Sequence, residues 1–159
     1  MDLQTNIQNT TQYSGKANIK AYHNGTLYEN RELHNTGTAD LCGYICDCLR
    51  GVNVIAQRPG YLIPCTWDSS SSSLVNMFSY GILYTGLSTT NKDATGANYS
   101  LSFLIPAIVL AGKNQIDGFR LYSSDENRTL YAEIDTHTDP IQLVQNSNLS
   151  IDWSLRIAF

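Results

Sequence analysis

The chain has 159 residues, a net charge of −4 and only 15% charged side chains. That length is one domain, able to bury a core without staples. No basic stripe is present to neutralise phosphates, which excludes a nucleic-acid surface, and no apolar run is long enough to cross a membrane as a helix.

Residues 1–15 are polar and aperiodic, and they lack the basic and apolar regions of a secretory signal. They read as a flexible N-terminal arm that orders against a neighbour, ahead of a single domain over 16–159. Residues 17–23 alternate Ala, Ile, Ala with Asn, Lys, Tyr, as a strand does. Asn24-Gly25 is a strong hairpin signal, because a type I′ turn needs positive φ at both central positions. Residues 26–33 return as the second strand, and residues 35–38 form a turn.

Residues 38–50, TADLCGYICDCLR, are the one stretch that reads as a helix. Thr38 is a suitable N-cap, and Asp40 in the first turn suits the helix dipole. Leu41, Ile45, Cys48 and Leu49 fall at i, i+4, i+7 and i+8, one apolar stripe that must lie on a sheet. Arg50 and Gly51 are stop signals.

Beyond the helix, residues 52–56 read as a short strand, 58–60 as a turn and 61–67 as a strand with Pro64 at an edge or bulge. Residues 68–73, DSSSSS, are an exposed loop. Residues 74–85 form a strand broken near Gly81, and 88–97, STTNKDATGA, a long polar loop. In 99–110, Tyr99, Leu101, Phe103 and Ile105 share one side until Pro106, and residues 107–110 continue the strand after a kink. Residues 112–114 form a turn. Strands follow at 116–122, 129–134 and 141–144, separated by turns at 125–127 and 135–140. The last strand is the clearest: Leu149, Ile151, Trp153, Leu155, Ile157 and Phe159 alternate with a mostly polar face. Many short strands and one helix predict a mainly β chain, an antiparallel β-sandwich or jelly-roll-like domain with one short α-helix near residues 38–50.

The cysteines, Cys42, Cys46, Cys48 and Cys65, lack the paired spacing of a zinc site. They are expected as reduced, mostly buried thiols. Five Asn-x-Ser/Thr sequons begin at Asn9, Asn24, Asn98, Asn127 and Asn148 and read as a by-product of Asn and Thr richness. No hydrolase elbow, metalloprotease motif, phosphate loop or dinucleotide fingerprint occurs. Asp117, Asp125, Glu126, Asp135 and Asp139 sit at turns, where aspartate is common for local reasons. The sequence therefore points to no catalytic residue, no metal ligand and no cofactor. His34 is placed to help cap the helix, and His137 lies in the THTDP loop.

The order of parts resembles small tailed-bacteriophage virion proteins. RELHNTGTADLCGYICDCLRG (31–51) is similar to their turn–helix opening after an N-terminal strand. IDGFRLY (116–122), TLYAEID (129–135), Pro140-Ile141 and NLSIDWSLRIAF (148–159) resemble their ending. The polar 88–97 stretch and the cysteine-rich helix depart from that pattern. The resemblance implies a structural virion protein, a capsid decoration, head-fibre or tail component, assembled in the bacterial host cytoplasm. Its partners would be capsid or tail proteins and copies of itself, with a trimer favoured by the threefold symmetry of such proteins. Two alternatives stand beside it. One is a tail or baseplate receptor-binding module that recognises host cell-surface glycan through the loops at 68–73, 88–97 and 135–140. The other is a cellular carbohydrate-binding or adhesion domain.

Overall fold

The computed structural model describes residues 12–52, 57–83 and 89–158. Strand β1 (Gln12–His23) turns into β2 (Thr26–Gly37) through Asn24 and Gly25, at φ 49° and 78°. Both central residues are left-handed, as the Asn-Gly pair requires. The last described strand, β12 (Ser147–Ala158), runs antiparallel along the other side of β1 from end to end. β7 (Gly96–Ile105) pairs with β12, and the short β6 (Thr89–Asp93) forms the outer edge.

The other side of the ladder begins at the far end of β2. Thr36 and Gly37 pair with Glu133 and Ala132 of β10 (Leu130–Asp135). β9 (Gly118–Ser123), β3 (Pro59–Asp68) and the edge strand β4 (Ser73–Asn76) follow in that order. β5 (Ile82–Leu83) pairs with the start of β3, and β8 (Gln115–Ile116) with β11 (Ile141–Gln142) in a separate ribbon. The described chain is thus mainly β and antiparallel, with one short helix, α1 (Ala39–Leu49). The ladder turns its corner at β2, and both halves close on one core. That is a β-sandwich-like fold.

Register explains the core. Ala17, Trp153 and Leu101 lie in one row across β1, β12 and β7; Ile19, Ile151 and Phe103 form the next; Ala21, Leu149 and Ile105 the third. All nine are buried, and each row places residues of unequal bulk side by side. Leu62, Phe119, Leu121, Ala132 and Ile134 face them from the other half. Each large apolar side chain buried this way contributes roughly 1.5–3 kcal/mol. Leu149, Ile151, Trp153 and Leu155 are core as their alternation indicates; the Ile157 side chain and Phe159 lie outside the described residues.

β2 breaks the apolar rule. Opposite Ile19 and Ala21 it presents Arg31 and Glu29, not hydrophobes. The two form a half-buried ion pair, and Arg31 also donates to the Asp139 carbonyl at 2.5 Å and contacts the Asp139 carboxylate at 3.1 Å. The pair closes one flank of the core while pinning residues 139–140.

Several boundaries differ from the sequence expectation. β1 opens at Gln12, so residues 12–15 belong to the sheet and not to an arm; residues 1–11 lie outside the described residues. Residues 35–37 are extended and not a turn, because Thr36 and Gly37 have partners on β10. Pro59 opens β3, and Pro64 falls between the stretch paired with β5 and the stretch paired with β4, where no ladder donor is needed. The polar 88–97 stretch holds a hairpin, β6 into β7, with two solvated faces and therefore no apolar alternation to betray it. Residues 107–110 leave the strand in tight turns, with Val109 N–H donating to the Pro106 carbonyl and Leu110 N–H to that of Ala107. The 52–56 strand falls largely on residues outside the description.

Two predictions follow from this packing and its edge. A Cβ on Gly118 would lie 2.4 Å from the Ile134 carbonyl oxygen and 2.6 Å from Leu74. Gly118→Ala should therefore cost about 1–3 kcal/mol as overpacking, read as a lower urea midpoint at unchanged slope. At the β6 edge, Arg156 donates to Asp93 at 2.9 and 3.1 Å, and the Thr95 amide at 2.8 Å. Arg156, then Thr95, holds the Asp93 carboxyl well below the usual range. A depressed folded pKa stabilises above the unfolded value of about 3.9 and is lost as pH falls below it. Asp93→Asn should melt earlier than the parent at neutral pH, and the gap should close in acid.

Candidate functional site

α1 is seated by its N-cap. Thr38 N–H donates to the Tyr131 carbonyl at 2.8 Å, and its hydroxyl donates to the Leu130 carbonyl at 2.7 Å and accepts from Leu41 N–H at 3.3 Å. The helix start is thereby sewn to β10. Leu41 is buried, Ile45 packs half-buried against the core, and the Tyr44 ring tilts onto Tyr131 at 5.5 Å. His34 takes no part in the cap; it is exposed on β2. Arg50 and Gly51, at φ 75°, end the helix as its stop signals require.

The apolar stripe is shorter than its spacing suggests. Cys48 is exposed, not core, and the Leu49 side chain lies outside the described residues. Thr38, Leu41, Tyr44 and Ile45 seat the helix, while Cys46 and Cys48 of its later turns face solvent. Cys42 and Cys46 are exposed as well, so the expectation of mostly buried thiols holds for Cys65 alone. Burial pushes the Cys65 thiol up to about 12. Burial, then hydrogen bonding to Cys48, raises the Tyr44 hydroxyl above the usual phenol range.

Beside this helix lies a groove of about 510 Å³, a volume typical of a binding cleft. Leu41, Tyr44 and Ile45 form one wall. Arg58 and Pro59, Thr90 of β6, Ala97, Asn98 and Tyr99 of β7, and Leu155 of β12 form the remainder. The lining is mostly apolar. Nothing in the sequence joins these residues, because they come from the helix and four strand regions that only the fold brings together.

A second constellation sits where β3 ends. Trp67 and His137 stack at 3.7 Å between ring centroids and 11° between planes. The buried carboxylate of Asp117 sets this corner: it accepts from Trp67 N–H at 2.8 Å and from Gln115 Nε2 at 2.6 Å, while the Asp117 carbonyl accepts from Thr136 N–H at 2.8 Å. Asp135 accepts from His137 N–H at 2.9 Å and lies 2.7 Å from its Nδ1. Asp68 accepts from Ser70 and Ser71, ordering the serine loop into the β3–β4 hairpin. Two of the three loops considered for glycan, 68–73 and 135–140, are thus joined through the Trp67–His137 stack. The third, 88–97, is described from residue 89 onward and belongs to the opposite edge of the ladder.

The remaining candidates are tied into the fold. Tyr122 hydroxyl accepts from Asn76 at 2.9 Å, and Tyr131 hydroxyl donates to the Gln57 carbonyl at 2.6 Å. Burial, then the carboxylates of Asp125 and Asp40, pushes the Tyr131 hydroxyl up to about 12. Asp40, Asp47 and Asp125 line a polar recess of about 260 Å³. Among the described residues no three His, Cys, Asp or Glu side chains, these aspartates included, are placed to hold one metal ion.

No protein-family model, curated protein or solved structure matches this chain. The likeness to tailed-phage virion proteins accordingly rests on the order of its sequence motifs.

The thiol arrangement is directly measurable. An aromatic disulfide reagent should titrate Cys42, Cys46 and Cys48 in the folded protein, and Cys65 only after denaturation. Slow release of all four together, at the rate of global unfolding, would contradict the exposure of the three helix thiols.

Proposed function

We propose that the protein is a structural component of a phage virion, a capsid decoration or head-fibre protein that binds the shell and copies of itself. The observation that carries this reading is the mostly apolar groove that the described residues form beside α1: an apolar groove of this kind is a surface that a partner chain can cover. Two carboxylates elsewhere in the fold serve local geometry, Asp93 clamping an edge hairpin and Asp117 a loop corner. The edge strands β4 and β6 are only four and five residues long, which limits association through the sheet edges. The sequence resemblance supports the same reading and favours a trimer.

Purified protein should co-sediment with its phage particles, and sedimentation equilibrium should give a closed oligomer, three copies being the expected number. Removing residues 1–11, and not 1–15 because Gln12–Gly15 pair with β12, should leave the fold intact and abolish particle binding. A truncated protein that decorates particles at full occupancy would refute the role given to the arm.

The Trp67–His137 stack favours a second reading, a receptor-binding module. Aromatic faces beside Asp135 and the serine hydroxyls are the chemistry that holds a sugar ring. A glycan array bound by the parent and not by Trp67→Ala would support it, and a blank array would remove it.

A further inference from the structure

We propose that Cys42 and Cys46 form a two-thiolate site for a soft, two-coordinate cation of the Cu(I) class. Both thiols are free and exposed on α1. Four residues apart, they stand one above the other on the outer side of a helix whose inner side carries Leu41, Tyr44 and Ile45. The third exposed thiol does not join them. Cys48 lies two residues beyond Cys46, about 200° further round the helix, and hydrogen-bonds with Tyr44 on the inner side.

Helix geometry separates a metal bridge from a disulfide. Side chains at i and i+4 have Cβ atoms about 5–6 Å apart, beyond the spacing of about 3.5–4.5 Å that a disulfide needs. Two metal–thiolate bonds of about 2.3 Å, placed in line, span about 4.6 Å between sulfurs. Sulfurs carried on Cβ atoms at helical spacing meet that span. Thiolate is a soft donor and selects Cu(I) over cations that prefer oxygen. A two-coordinate ion also needs no third ligand, and no group of three is placed for one among the described residues. Binding releases two thiol protons to solvent, forms two copper–sulfur bonds and changes no oxidation state, so it calls for no redox partner.

The surroundings suit a cation. Gly43 lies between the two cysteines, and a Cβ built on it would meet nothing within 4 Å. No packing calls for glycine there, although it weakens a helix interior; its bare backbone leaves the thiol pair open to an incoming ion. Gly43 and Ala39 also line the recess that holds Asp40, Asp47 and Asp125, with no lysine or arginine in its lining. Asp47 pairs with Arg50 at 3.3 Å. Asp40 and Asp125 bring negative charge to the border of the dithiol, which raises the local concentration of a cation.

The test uses the full chain, kept anaerobic with ascorbate, and Cu(I) supplied as its coloured bicinchoninate complex. The parent should bleach the complex by one equivalent of copper per chain. Cys42→Ser and Cys46→Ser should each lose that uptake, and Cys48→Ser should keep it. All three positions are exposed, so exchanging sulfur for oxygen leaves the core untouched. A footprint needs no variant: copper should protect Cys42 and Cys46 from iodoacetamide, read by peptide mass spectrometry, and leave Cys48 alkylated. A parent that leaves the colour unchanged, equal protection of Cys48, or one copper shared between two chains would each overturn the site. Particle binding is measured separately, so the virion reading stands or falls apart from this result.

Discussion

Trp153 against Ala17 and Leu101 is the contact on which the fold depends. The indole is fully buried in the middle of β12, and alanine beside it leaves room for its width. Ala17→Leu would collide with the ring, and removing the ring would leave a cavity of the kind that costs about 3–5 kcal/mol. Because β12 lies between β1 and β7, this one row fixes the register of three strands. A slip by one residue would turn Asp152 and Ser154 inward. That register also places Tyr99 and Leu155 side by side in the wall of the groove beside α1.

A second constraint is polar. Asp117 is buried and ionisable, yet both carboxylate oxygens accept hydrogen bonds, from the Trp67 backbone and the Gln115 amide. Satisfied in this way a buried carboxylate specifies geometry; unsatisfied it would carry a desolvation cost. Glu29 and Arg31 act similarly at the flank of the core, where β2 must look inward but the loop at 139–140 needs a donor. The fold uses apolar rows for stability and these few polar clamps to place its loops.

The sequence was legible wherever one rule governed one segment. The alternation from Leu149 to Leu155, the Asn24-Gly25 turn and the Thr38 cap each announce their own structure, since the cause is local. It was illegible where the cause is distant. Thr36 and Gly37 look like a turn until β10 supplies partners. Cys48 has the spacing of a core residue, but no sheet surface covers it and it faces solvent. β6 and the strand that follows the Ala94–Thr95 turn conceal a hairpin, because an edge with two wet faces has no apolar period. Trp67 and His137 are 70 positions apart in the chain, and no local pattern foretells their stacking. The groove belongs to the same class, assembled from the helix and several strands at once.

The pairing of β1 with β12 has a kinetic consequence. β1 is made long before β12, and it obtains this long partner only once β12 has followed it. Until then the β1–β2 hairpin carries Ala17, Ile19 and Ala21 on an uncovered face, and the central row cannot form. Contacts of such high sequence separation slow folding and prolong the life of sticky intermediates. Synthesis of β12 therefore precedes closure of this domain, and the nascent chain before it, with its free strand edge and apolar face, is the form most in need of a chaperone.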